Sequence, residues 1–122
     1  MIYFQCDYEE GCHPAILKRL NETNLEQTVG YSMDPYCASA REKIKKVVGR
    51  PDADVHFLVG GTQTNMTVIA AALKPWQGAI CADTGHIACH ETGAIEATGH
   101  KVLALLSEDG KITAAQIEET VK

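Results

Sequence analysis

Two short, almost unbroken apolar runs, AICA at residues 79–82 and KVLALL at residues 101–106, limit the folds open to this chain. Runs of this length without polar alternation suit strands buried on both faces of a parallel sheet. Parallel neighbours need a crossover connection, and the segment at 87–98, stopped by Gly99, supplies a predicted helix between the two. A third apolar run, VHFLV at 55–59, leads through Gly60-Gly61 into a helix predicted over about 62–73 and ended by Lys74-Pro75. The resulting order is βαβαβ with right-handed crossovers, an α/β fold with mainly parallel strands.

Two helices are predicted ahead of this unit. Pro14 opens the first, which runs to about Thr23 with Ile16, Leu17 and Leu20 on one face. The turn-rich TVGYSMDP follows, where Asp34 is an N-cap and Pro35 the first helical residue of the second helix. Gly49 is its natural stop, and Ala40, Ile44, Val47 and Val48 form its packing face. Near the end, Thr113 and Gln116 have the spacing of a capping box, with Ile117 and Val121 starting another apolar stripe. The chain thus reads as one segment, a helical arm at 1–50 and an α/β portion at 51–122. The stripe still running at Lys122, and the open edges of a three-stranded sheet, set the expectation that this is the front part of a longer protein.

A net charge of −5 argues against non-specific nucleic-acid binding, and REKIKK at 41–46 reads as the solvated face of a helix. The five cysteines, at 6, 12, 37, 81 and 89, form no CxxC pair, and no signal-peptide core precedes them. Both features point to a reduced, cytoplasmic setting, with Cys81 packing as a small hydrophobe. No apolar stretch is long enough to span a bilayer.

The stretch LVGGTQTN places two glycines and a threonine where a strand turns into a helix. Helix N-termini expose free N–H donors and a favourable dipole, so Gly60, Gly61 and Thr62 could hold an anion such as a phosphate. The pattern is neither GxxxxGK[ST] nor GxGxxG, and Thr62 could equally serve only as a cap. A second candidate, ADTGHIACHETG, follows the 79–82 strand, which puts His86 on the same carboxyl edge of the sheet. His86 and His90 also have helical i, i+4 spacing, with Cys89 and Glu91 nearby, but the HExxH arrangement of a metalloprotease is absent. His13, His56 and His100 have no partner pattern and read as incidental.

Together, CDYEEGCHP, VGYSMDP, GGTQTN, DTGHIACHETGAIEATGH and DGKITAAQIEE, in that order, resemble the first third of the β-eliminating lyase and threonine aldolase family. These are pyridoxal 5′-phosphate-dependent enzymes of the fold type I aminotransferase architecture. The resemblance implies that Gly61 and Thr62, with the Gln63 N–H, grip the cofactor phosphate. It implies that His86 stacks on the pyridine ring and helps handle the substrate hydroxyl proton. Glu91 matches a glutamate close to the cofactor. Tyr31 and Asp34 look like the family's Tyr-Gly-x-Asp-Pro segment near the site and subunit interface, with Ser32 in place of the glycine. Cys6 and Asp7 fall where relatives have Ser-Asp or Asn-Asp near the substrate carboxylate, and a thiol is the poorer donor.

The implied reaction breaks the Cα–Cβ bond of a β-hydroxy amino acid, for instance L-threonine to glycine and acetaldehyde, with the cofactor as electron sink. It needs a lysine to anchor the cofactor, and none of the eight lysines here stands in the family's lysine context. Residues 1–122 alone are therefore expected to be inactive. A dimer or tetramer, and a small amino acid as the partner molecule, follow from the same resemblance. Two other readings stay open from the residues: a non-catalytic module binding a phosphorylated ligand or partner chain, and a metal-dependent hydrolase built on His86 and His90.

Overall fold

The structure, a computed structural model, describes residues 10–122. It divides into two compact units, Met1–Val55 and His56–Lys122.

In the first unit, α1 spans Pro14–Thr23 and α2 spans Pro35–Val48. The α1 N-terminus is capped by His13, whose Nδ1 accepts the Ala15 N–H at 3.2 Å, so this histidine has a structural task that sequence spacing did not suggest. Asp34 caps α2 by accepting the Cys37 N–H at 2.8 Å, and Gly49 ends the helix in the left-handed region at φ 68°. In the connecting turn Tyr31 and Ser32 both take positive φ, 57° and 60°, and the Ser32 carbonyl accepts from Arg41 at 2.9 Å. A glycine would suit the second of these positions better. Lys45 and Glu42 pair at 3.5 Å along α2, in keeping with a solvated charged face.

In the second unit, α3 spans Gly61–Ala72 and β1 spans Gly78–Ala82. Two one-turn helices follow, α4 (His86–Cys89) and α5 (Ala94–Ala97), then β2 (Lys101–Leu105) and α6 (Ala114–Thr120). The two strands are parallel neighbours in register from Gly78 opposite Lys101 to Ala82 opposite Leu105. Gly78 is demanded by this pairing, because a Cβ there would lie 2.7 Å from the Lys101 carbonyl oxygen. Ile95 is fully buried and Ala82 nearly so, and two polar residues, Glu91 and His100, are as deeply placed. His100 Nδ1 lies 3.3 Å from the Gln77 carbonyl, so this histidine too has a packed position. The capping box is present: Thr113 accepts the Gln116 N–H and Gln116 accepts the Thr113 N–H.

Two expectations change. Residues 55–59 form no strand: the described sheet has two strands, and a strand exists only where a neighbour completes its ladder. Phe57, Leu58 and Val59 are correspondingly exposed. The helix expected over 87–98 is broken into α4 and α5, because Thr92 and Gly93 adopt φ 50° and 79°, a conformation a right-handed helix does not contain. The break turns Glu91 into the interior.

Candidate active site

The α3 N-terminus is an open donor group. Its N-cap is Gly60 and no side chain caps it. The first backbone bond into the helix runs from the Thr64 N–H to the Gly60 carbonyl at 3.0 Å, which leaves the N–H groups of Gly61, Thr62 and Gln63 as donors. The Gln63 side chain is occupied elsewhere, its Oε1 accepting the Val59 N–H at 2.9 Å, and this pins the incoming chain. Gly60 has φ −166°, extended backbone open to any residue, so the turn itself does not require glycine. What the two glycines provide is room: a Cβ on Gly60 or Gly61 would meet no protein atom within 4 Å. Open donors beside an unfilled space fit a phosphate approaching the backbone closely.

His86 is set by the turn that leaves β1. Asp83 donates its N–H to the Leu105 carbonyl at 2.8 Å, and its Oδ1 accepts from the N–H of Ser107 at 3.1 Å and of Thr84 at 3.0 Å. Gly85 then bonds back to the Ala82 carbonyl at 2.8 Å. A Cβ at Gly85 would sit 2.8 Å from that oxygen and 3.2 Å from the Cys81 Cβ, so only glycine lets the chain turn here. His86 begins α4 directly afterwards and is 63% exposed. Cys89 Sγ closes the same turn by donating to the Asp83 carbonyl at 2.9 Å. Burial, with Cys89 and Asp83 close by, pushes the Cys81 thiol up, which suits a packing role over a reactive one.

The Glu91 side chain is fully buried, and its Oε1 is 3.5 Å from His86 Nε2 and 2.6 Å from Asn65 Nδ2. Its Oε2 is buried without a hydrogen-bond partner. The Nε2 edge of the ring faces this carboxylate, and the Nδ1 edge is turned away from it. Asn65 stands three residues after Thr62, one turn along α3. Glu91 therefore joins the turn bearing His86 to the helix whose N-terminal N–H groups are uncapped. Of the residues expected from sequence, His86 and Glu91 approach each other and Gly61, Thr62 and Gln63 open α3; Asn65, the hydrogen-bond partner of Glu91, was not singled out. Nothing in the local pattern singles it out, because Thr62, Gln63, Thr64 and Thr67 make the same half of the helix polar.

His90 lies beside His86 with ring centroids 5.5 Å apart, but no cluster of three or more His, Cys, Asp or Glu side chains suited to a metal occurs among the described residues. Tyr31 is exposed in the turn before α2, and Asp34 is the α2 cap; both belong to the first unit. Cys6 and Asp7 lie outside the described residues. No helix among the described residues is long and apolar enough to cross a membrane.

The β-eliminating lyase family model matches residues 7–122, and the chain belongs to that family. It is 30% identical over 118 residues to a low specificity L-threonine aldolase of Pseudomonas sp. (strain NCIMB 10558), covering 95% of this chain and 34% of that protein. It also matches a solved structure of Leishmania major threonine aldolase with a TM-score of 0.87 and 50% identity, over 92% of this chain and 33% of that one. This confirms the α/β architecture of fold type I enzymes. The chain spans about a third of the length of these relatives.

Proposed function

We propose that this chain forms the phosphate-gripping and ring-facing part of the active site of a pyridoxal phosphate-dependent carbon–carbon lyase acting on β-hydroxy amino acids. L-Threonine, cleaved to glycine and acetaldehyde, is the substrate the relatives suggest. The observation behind this reading is the tether between His86 and α3 through Glu91, which brings the imidazole to the helix that offers phosphate donors.

When bound, the cofactor supplies an electron sink for the bond breaking at Cα. The N–H groups of Gly61, Thr62 and Gln63 and the Thr62 hydroxyl hold its phosphate. His86 lies against its ring. Its imidazole takes up the substrate hydroxyl proton, with the Glu91 carboxylate 3.5 Å from the Nε2 edge to hold the ring in place. Tyr31, Asp34, Cys6 and Asp7 serve the substrate side, with the Cys6 thiol a weaker donor than the family's serine or asparagine. The anchoring lysine is not among the eight lysines of this chain, so residues 1–122 alone bind without turning over. A cytoplasmic homo-oligomer completes the reading, and exposed apolar side chains such as Trp76, Val68 and Leu106 are in keeping with self-association.

Titration of the purified protein with pyridoxal 5′-phosphate, followed by visible absorbance, tests this. Binding is expected to saturate, to be competed by inorganic phosphate, and to weaken about tenfold in Thr62→Val, the scale of one hydrogen bond to a charged group. Borohydride should fix no cofactor to a lysine of this chain. Binding of pyridoxal as tight as that of its phosphate, or indifference to Thr62→Val, overturns the reading.

A further inference from the structure

A fully buried carboxylate is costly to keep unless its oxygens are matched, and in Glu91 a single oxygen receives both contacts. The shorter comes from Asn65, at 2.6 Å. The partner at 3.5 Å, His86, is mostly exposed and is gripped at one ring edge. Without Asn65, Glu91 would have two partly or wholly unmatched oxygens and every reason to rotate, and His86 would lose the fixed edge that sets its orientation.

We infer that Asn65 is a positioning residue: its amide locks the Glu91 carboxylate, and Glu91 in turn holds the His86 ring at the angle the site uses. Gly61, Thr62 and Gln63 would hold the phosphate at the start of α3, and Asn65, one turn later, aligns the ring-facing group from the same helix. Residues 62–65 thus register two parts of one ligand against each other. The sharp break at Thr92–Gly93 serves the same end, because it aims Glu91 at Asn65 and away from solvent. This inference rests on the cofactor reading above for its purpose, though its geometry can be tested without any ligand.

Asn65→Leu keeps the branched shape and removes the donor, while Asn65→Gln keeps an amide. In ligand-free protein, NMR of the histidine side chains should show the His86 ring losing order and its contacts with Glu91 in Asn65→Leu and regaining them in part in Asn65→Gln. Pyridoxal 5′-phosphate affinity should fall about tenfold in Asn65→Leu, while inhibition of its binding by inorganic phosphate keeps the wild-type constant. The loss should vanish when Asn65→Leu is made in a Glu91→Gln background, as coupled residues require. Melting curves and far-ultraviolet circular dichroism identify a variant that fails to fold, and Asn65→Gln then decides: partial ring order with intermediate affinity supports the role, and a disordered ring at wild-type affinity overturns it. An unchanged His86 ring in Asn65→Leu overturns the inference, as does a loss that simply adds to that of Glu91→Gln or that extends equally to phosphate. Failure of the wild type to bind pyridoxal 5′-phosphate sinks the cofactor reading instead, and leaves the ring-order result to judge Asn65 on its own.

Discussion

The carboxylate of Asp83 accepts the backbone N–H of Ser107 at 3.1 Å and so ties the carboxyl ends of β1 and β2 together just before the chain turns toward His86. The same oxygen also accepts the Thr84 N–H. Asp83→Ala removes the acceptor of a part-buried Ser107 N–H and an exposed Thr84 N–H, and a loss of about 0.5–1.5 kcal/mol in a urea unfolding series is expected. Asp83→Asn, which retains an acceptor, should lose less. Equal stability in all three proteins would show that the tie contributes nothing.

Two glycines near the site should respond in opposite ways to the same substitution. At Gly85 an added methyl collides with the Ala82 carbonyl at 2.8 Å, so Gly85→Ala should cost about 1–3 kcal/mol and shift His86. At Gly61 the methyl meets nothing within 4 Å, so Gly61→Ala should melt with the wild type. The space it fills is that proposed for phosphate, and affinity for pyridoxal 5′-phosphate should drop at least tenfold. Calorimetry and a binding titration on both variants separate the two effects.

Ser32 holds φ at 60°, where side chains other than glycine are disfavoured by roughly 1–2 kcal/mol. Ser32→Gly should therefore stabilise the protein, by about 0.5–1 kcal/mol once the greater freedom of glycine in the unfolded chain is counted. A lower denaturation midpoint would mean that the hydroxyl has an uncounted partner.

Hydrogen bonds from Cys37, its side chain first and its N–H next, hold the Asp34 carboxyl below the usual carboxylate value of 3.8. Its charged form is thus favoured by folding, and the stabilisation is present in full above that value and fades as pH falls through the lower, folded one. Acid titration of helicity below about pH 4 should show a contribution that Asp34→Asn abolishes. An identical acid profile in the variant would remove Asp34 from the account.

Much of this fold can be read from local chemistry. Asp34-Pro35 and Gly49 bracket α2 where the dihedrals put its ends, and Thr113 with Gln116 predicts a real capping box, because caps depend on a few adjacent residues. The runs at 79–82 and 101–106 become β1 and β2 since each finds the other as a neighbour. Residues 55–59 have equal apolar content and no ladder, and composition cannot tell whether a partner is present. The split near Thr92 escapes periodicity because threonine at positive φ is imposed by its surroundings and not by its own preference. His86 could be placed beyond the end of β1, and Gly61 and Thr62 at the start of α3, although no strand precedes that helix among the described residues. Asn65 could not be singled out, because its meaning comes from a carboxylate 26 positions later in the chain.

The left-handed kink at Thr92 and Gly93 has a consequence for how this segment can vary. Imidazole and carboxylate sit only five residues apart, at 86 and 91, on either side of the end of α4. One residue added or removed between them would swing the acid group around the helix axis by roughly 100° and point it at water. Length there is consequently fixed more tightly than residue identity: exchanges at Ile87 or Ala88 can be absorbed, whereas an insertion or deletion severs the pair outright.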